Sequence, residues 1–218
     1  MKTIYVIHSS NVTLELLNGL FKKNIPEARV YNIIDDSLLA GLFVHGSPTK
    51  DMAKRFCAYA SLAEGAGADI IFSQCSSYGN VVDVARKLVD IPIIKIDGAM
   101  MELAVKSASR IAVLATVKST MGPSCDLLRE CAGIAGKRIE ITEIVAENAL
   151  SVLMDEKDPD KHDKIVMDLI DNLPKEVECA VLAQGSMHRL KDKLANAKIP
   201  VLVSPESGVL AVREALGL

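Results

Sequence analysis

Asp69-Ile70-Ile71-Phe72-Ser73-Gln74-Cys75-Ser76 is the stretch whose reading decides the fold. A continuous apolar run ends abruptly in small polar residues. Such a run fits a strand covered on both faces, as in a parallel sheet, that turns into a helix. Half a chain later the same pattern returns as Cys179-Ala180-Val181-Leu182-Ala183-Gln184-Gly185-Ser186. The two stretches predict two similar halves whose turns face each other across a cleft, since ligands of open α/β sheets bind beyond the carboxyl ends of the strands.

Outward from these stretches, short apolar runs alternate with helix-period segments. Strands are expected at 3–7, 28–34, 69–74, 92–96, 110–115, 138–144, 178–183 and 200–203. Helices are expected near 11–23, 49–66, 79–89, 98–107, 120–135, 147–154, 159–172, 187–197 and 206–216. This alternation predicts an α/β fold with right-handed crossovers. We expect two similar domains, each a four-stranded, mainly parallel sheet flanked by helices. The expected division is 1–97 plus 205–218 for the first and 98–204 for the second.

The 218 residues suffice for a sizeable core, and the lack of Trp makes that core aliphatic. A net charge of −3 with both signs interspersed argues against a nucleic-acid surface or a basic membrane anchor. No apolar run reaches the roughly 18 residues of a membrane span. The first residues read as a strand and not as a signal peptide. Five widely spaced cysteines without an export signal fit a reduced, cytoplasmic setting. No Cys-x-x-Cys occurs and the four histidines lack ligand spacing, so no structural metal site is expected. No glycine-rich fingerprint follows the first strand and no phosphate loop is present, so neither NAD nor a nucleotide is expected.

Four polar clusters stand at expected strand ends: His8-Ser9-Ser10-Asn11, Cys75-Ser76-Ser77, Thr116-Val117-Lys118-Ser119-Thr120 and Gln184-Gly185-Ser186-Met187-His188. Hydroxyls and free helix-terminal amides there favour anions such as carboxylates. Each cluster also reads as a simple helix cap. Cys75 is set apart by its place where a strand turns into a helix, because a helix N-terminus favours the thiolate. A thiolate is a competent base or nucleophile. Cys57 and Cys179 lie within elements and read as core, while Cys125 and Cys131 lie in an expected helix and read as core or surface packing. His8 reads as a general acid, a substrate ligand or a satisfied strand-end histidine. Asp35-Asp36-Ser37 reads as a turn and cap or as a cleft-side acid.

Ile70-Ile71-Phe72-Ser73-Gln74-Cys75-Ser76-Ser77 resembles the first catalytic-cysteine segment of the aspartate/glutamate racemase superfamily. That superfamily includes glutamate, aspartate and hydantoin racemases, maleate isomerase and arylmalonate decarboxylase. Leu114-Ala115-Thr116 with Ser119-Thr120 resembles the segment that opens the second half. Val181-Leu182-Ala183-Gln184-Gly185-Ser186-Met187 resembles the second catalytic-cysteine segment, and Ser204-Pro205 also fits. The resemblance spans nearly the whole chain. It implies a cofactor-independent, homodimeric enzyme in which one thiolate removes the proton beside a carboxylate and a second thiol returns one. It also implies that His8, Ser9, Ser10, Ser76, Ser77, Thr116, Ser119, Thr120, Gly185 and Ser186 bind the small carboxylate substrate.

The second thiol is missing. Family likeness puts Gln184 in its place, whereas the internal repeat puts Gly185 there. Neither side chain exchanges protons usefully near neutral pH. Three readings follow: a racemase or isomerase with another group opposite Cys75, such as His8 or His188; a one-thiol decarboxylase or lyase; and a non-catalytic carboxylate-binding protein.

Overall fold

Each of the eight apolar runs forms a strand in the computed structural model, which describes residues 1–218. The order is β1 (Thr3–His8), α1 (Leu14–Asn24), β2 (Arg29–Ile34), α2 (Ser37–His45), α3 (Lys50–Gly65), β3 (Ile70–Ser73), α4 (Gly79–Ala85) and β4 (Ile93–Lys95). Then come α5 (Gly98–Ser107), β5 (Arg110–Ala115), α6 (Lys118–Ile134), β6 (Glu140–Val145), α7 (Ala149–Met154), α8 (Pro159–Asp171), β7 (Cys179–Leu182), α9 (Lys191–Leu194), β8 (Val201–Val203) and α10 (Ser204–Ala215). Two compact units result, Met1–Ala99 with Ser204–Leu218 and Met100–Val203.

Both sheets are four-stranded and wholly parallel, ordered β2-β1-β3-β4 in the first unit and β6-β5-β7-β8 in the second. The matching order is the structural form of the sequence repeat. Parallel pairing demands covered faces, which is why the strands read as unbroken apolar runs. One face of the first sheet packs Leu38, Phe56, Ala60, Tyr78 and Val82 from the flanking helices. The other packs Leu17 and Phe21 of α1 against Val209 and Val212 of α10. In the second unit Met101, Leu128 and Cys131 cover one face, and Val166, Ile170, Met187 and Leu190 the other. No helix is long and apolar enough to cross a membrane.

The sequence reading missed α2. Its segment, Ser37-Leu38-Leu39-Ala40-Gly41-Leu42-Phe43-Val44-His45, is apolar nearly throughout, so no 3.6-residue stripe marks it. Leu38 and Leu42 are nonetheless buried one turn apart. The expected helix at 187–197 is a 3-10 helix, Gly185–Leu190, that runs into the single turn of α9. Other starts are clearer. The Thr49 hydroxyl accepts the Met52 amide at 3.3 Å at the head of α3, and Asp158 accepts the Lys161 amide at 2.9 Å before Pro159 opens α8.

One close approach fixes the end of β4. A Cβ on Gly208, in the second turn of α10, would lie 2.4 Å from the carbonyl oxygen of Ile96. The helix therefore rests its backbone directly on the strand end.

Candidate active site

Parallel strands deliver their carboxyl ends to one edge of each sheet, so the four polar clusters fall two and two. The first unit's edge carries His8, Ser9 and Ser10 after β1 and Cys75, Ser76 and Ser77 after β3. The second unit's edge carries Thr116, Ser119 and Thr120 after β5 and Gln184, Gly185 and Ser186 after β7.

Cys75 is the only one of the five cysteines with partial exposure. The other four are buried, as expected for Cys57 and Cys179, and Cys125 and Cys131 prove to be core and not surface; burial, with Glu143 adding to it, pushes the Cys125 thiol up to about 12. Cys75 itself departs from expectation. No long helix follows it: a single 3-10 turn, Ser76–Tyr78, leads into the seven residues of α4. Burial pushes its thiol above the usual cysteine value. Hydrogen bonds from the Ser9 hydroxyl, the Ser77 amide and hydroxyl and the Tyr78 amide offset only part of that rise. The resting sulfur is thus a thiol held by donors shaped for a thiolate.

His8 is fully buried. Its Nε2 donates to Asn32 Oδ1 at 2.8 Å, and the Asn32 amide donates in turn to Asn18 Oδ1 at 3.1 Å. That chain fixes the tautomer, leaving Nδ1 as a bare acceptor with no partner. Burial lowers the pKa of the ring, with the Asn32 contact working the other way. His8 is therefore a neutral acceptor at neutral pH and a poor proton donor.

Asp35 lies at the end of β2. Burial alone would raise its carboxyl, but Ser37, Tyr59 and the Arg55 guanidinium hold it below the usual range. Arg55 Nη1 reaches Asp35 at 2.6 Å and Tyr59 Oη donates at 2.8 Å. This ionised hub braces α2 and α3, which answers the choice between turn and acid in favour of a structural acid. Tyr78 stacks on Phe56 and donates to the Leu38 carbonyl at 3.3 Å; burial raises its pKa and keeps the phenol neutral.

Backbone register decides which residue of the second half corresponds to Cys75. The Gln74 amide donates to Ile7 O as the Ala183 amide donates to Leu114 O, and Tyr78 N to Cys75 O as Met187 N to Gln184 O. Gln184 is therefore the counterpart of Cys75, and Thr116 of Ser9. The sequence repeat, which put Gly185 there, is off by one residue, because matching Gln74 to Gln184 favours residue identity over hydrogen-bond register. The hydroxyl contacts follow suit, although the Ser9 amide donates to Gln74 Oε1 at 3.4 Å where the Thr116 amide donates to Gln184. As the Ser9 hydroxyl serves the sulfur, the Thr116 hydroxyl donates to Gln184 Oε1 at 2.9 Å, and the Thr116 amide donates to the same oxygen.

The correspondence extends across both edges. Asp35 N bonds His8 O as Ala146 N bonds Ala115 O, and Ser73 pairs with Lys95 as Leu182 pairs with Val203. Asp35, His8, Cys75 and Asp97 in one half thus correspond to Ala146, Ala115, Gln184 and Pro205 in the other. Each of these four ionisable groups has a non-ionisable counterpart. Asp97 was missed by the sequence reading, although a lone acid after the apolar run Ile93-Ile94-Lys95-Ile96 was a visible signal. No three His, Cys, Asp or Glu side chains gather as metal ligands.

The family model for Asp/Glu/hydantoin racemases matches residues 8–212. The chain belongs to that family. Solved structures similar to this racemase-family chain include glutamate racemase RacE1 of Bacillus anthracis, with 12% identity over 99% of this chain and 82% of that one at a TM-score of 0.79. An aspartate racemase homologue from Pyrococcus horikoshii is 19% identical over 100% of both chains, with a TM-score of 0.69. Allantoin racemase of Klebsiella pneumoniae is 18% identical over 100% of this chain and 89% of that one, with a TM-score of 0.66. These likenesses show the racemase fold. No curated protein matches the chain by sequence.

The second edge of this family member is braced from behind. Asp163 of α8, 3% exposed at its side chain, accepts Arg189 Nε at 2.7 Å and Lys193 Nζ at 2.7 Å, while His162 Nδ1 lies 3.0 Å away. Arg189 belongs to the 3-10 helix that follows Gln184, so the hub ties that turn to α8. Burial alone would raise the Asp163 carboxyl, but Lys193, His162 and Arg189 together hold it below the ordinary value. Asp163→Ala leaves two cations and a buried histidine without their anion. It should cost about 3 kcal/mol in a denaturant titration. A carboxyl with a lowered folded pKa stabilises above its unfolded pKa, near 4, and that stabilisation is lost as pH falls through the folded value. The difference between wild type and variant should therefore shrink in acid.

Proposed function

We propose that this chain moves a proton at the carbon beside the carboxylate of a small amino acid or related acid, with Cys75 as the proton carrier. The observation that carries the reading is the asymmetry of the two edges. Cys75, served by hydroxyl and amide donors, has as its counterpart a carboxamide served by the same kinds of donor. Family membership supports the reaction class, and the identity of its structural relatives, glutamate and allantoin racemases among them, points to amino acids and related acids.

In this reading Cys75 takes the hydrogen as thiolate and returns it as thiol. Ser10 and Ser77, on the edge that carries Cys75, would bind the substrate's carboxylate oxygens, and backbone amides there would stabilise the enolate-like transition state. Gln184 would hydrogen-bond without exchanging protons. A one-thiol decarboxylase or lyase is the second reading. It is favoured by the burial of the sulfur, which raises the thiol pKa and so suits Cys75 to donate a proton to a carbanion.

Deuterium exchange tests both. The protein is incubated in deuterated water with small amino, hydroxy and ureido acids, and label, optical purity and carbon dioxide are followed. Exchange beside the carboxylate supports the proposal, and loss of optical purity with it identifies racemisation. Carbon dioxide with one-handed label identifies the decarboxylase. Ligand-induced stabilisation with neither would overturn the enzyme reading. Because the thiol pKa is raised, abstraction by thiolate should speed up about tenfold per pH unit across neutrality and level off only above the ordinary thiol range. Donation by the thiol should be flat across neutrality and fall above that range.

A further inference from the structure

Gln184 stands just past the end of β7, at the carboxyl edge of the second sheet, and its side chain is bound at one end only. The Thr116 hydroxyl donates to Oε1 at 2.9 Å, and the Thr116 backbone amide donates to the same oxygen. A backbone N–H can only donate, so the carboxamide is turned with its oxygen toward Thr116. Two donors occupy both lone pairs of that oxygen. The Nε2 group makes no hydrogen bond within the protein, and it is not sealed from solvent.

The first unit divides the same tasks between two residues. There the Ser9 amide, counterpart of the Thr116 amide, donates to Gln74 Oε1 at 3.4 Å, and the residue after Gln74 is the thiol. In the second unit the counterpart of Gln74 is Ala183, which has no carboxamide. Gln184 supplies the cap from the thiol's position. Capping consumes its acceptor and leaves an NH2 group held in a fixed direction. A free glutamine side chain can accept or donate, whereas this one can only donate.

We propose that Gln184 binds an oxygen acceptor of a ligand through Nε2, with Thr116 as the residue that positions it. The acceptor it fits best is a carboxylate, whose charge strengthens the hydrogen bond. An ammonium group finds no partner on this side chain, because the one acceptor is already filled. The position of the missing thiol is therefore a binding position in its own right. The inference goes beyond the proposed proton transfer and stands on contacts within the second unit alone.

The test follows the side-chain amide by NMR in the full, nitrogen-labelled chain. The Gln184 NH2 pair is identified as the pair lost in Gln184→Glu. Sodium glutamate and sodium acetate are titrated in, with methylammonium chloride and sodium chloride at equal ionic strength as contrasts. The two carboxylates should shift the pair saturably, and the two chlorides should leave it in place. Gln184→Glu keeps an oxygen for Thr116 but replaces the donor with a second acceptor, so glutamate should bind it at least about tenfold more weakly. Thr116→Val loses one of the two anchors and should weaken binding about threefold. The anchoring has its own readout, without ligand. The Thr116 amide should exchange with deuterium at least about tenfold faster in Gln184→Leu than in wild type or Gln184→Glu. A pair that neither carboxylate moves, an equal response to methylammonium, or wild-type affinity in Gln184→Glu would overturn the proposal. If Gln184→Leu does not fold, the titrations of wild type and Gln184→Glu decide alone. A pair that shifts on glutamate in a protein that exchanges no substrate hydrogen overturns the proposed function and leaves this inference standing, and hydrogen exchange with an unmoved pair does the reverse.

Discussion

Cys75→Ala should abolish deuterium exchange, with a loss of about 10²–10⁴ in rate, the usual worth of a positioned proton carrier. The effect should be on turnover and not on folding. The side chain is partly exposed and only borders the apolar cluster of Phe56, Tyr78 and Val82. Cys75→Ser should fare little better, because a hydroxyl in a site that already raises the thiol's pKa will not ionise at any usable pH. Cys57→Ala gives the contrast: that thiol is packed among Phe56, Ala60 and Ala63, so its loss should cost stability while leaving exchange intact. If Cys75→Ala keeps full exchange activity, the thiol is not the proton carrier and the reading fails.

Gly208→Ala should destabilise the first unit by about 3 kcal/mol, the upper end for overpacking a rigid site. The added Cβ would sit 2.4 Å from Ile96 O and 3.1 Å from its Cα and carbonyl carbon, and backbone cannot swing aside as a side-chain tip can. In a thermal melt this amounts to a drop of roughly 10 °C. The mid-helix Gly19 of α1 supplies the opposite sign, since a Cβ there meets nothing within 4 Å. Gly19→Ala should stabilise by about 0.5–1 kcal/mol through helix propensity and a poorer unfolded ensemble. Equal effects at the two glycines would refute the close-approach account.

Much of this architecture could be read without coordinates, for a definite reason. Ile70-Ile71-Phe72 and Ile111-Ala112-Val113-Leu114 are doubly covered strands, and continuous burial leaves a signal that survives in one dimension. α2 left none, because a helix apolar on nearly every side has no stripe. Cys75 was legible from its place at a strand end. The direction of its pKa shift was not, since it depends on how much protein surrounds the sulfur compared with the donors that reach it. The repeat was legible, but its alignment was one residue off, because register is written in backbone hydrogen bonds and not in side-chain identity. Asp97 stood out as a strand-end acid only when β4 was seen beside β3 and its counterpart proved to be Pro205.

The return of Ser204–Leu218 to the first unit carries a cost during synthesis. On the ribosome Met100–Val203 emerges between the two parts of that unit. At about 5–20 residues per second, the earlier part waits roughly 5–20 s with the face of Phe21, Ile70 and Phe72 uncovered. Val209 and Val212 close it only once α10 is out, with Gly208 letting the helix seat against Ile96. Until then the nascent chain exposes a sticky apolar surface, a natural landing place for a holding chaperone.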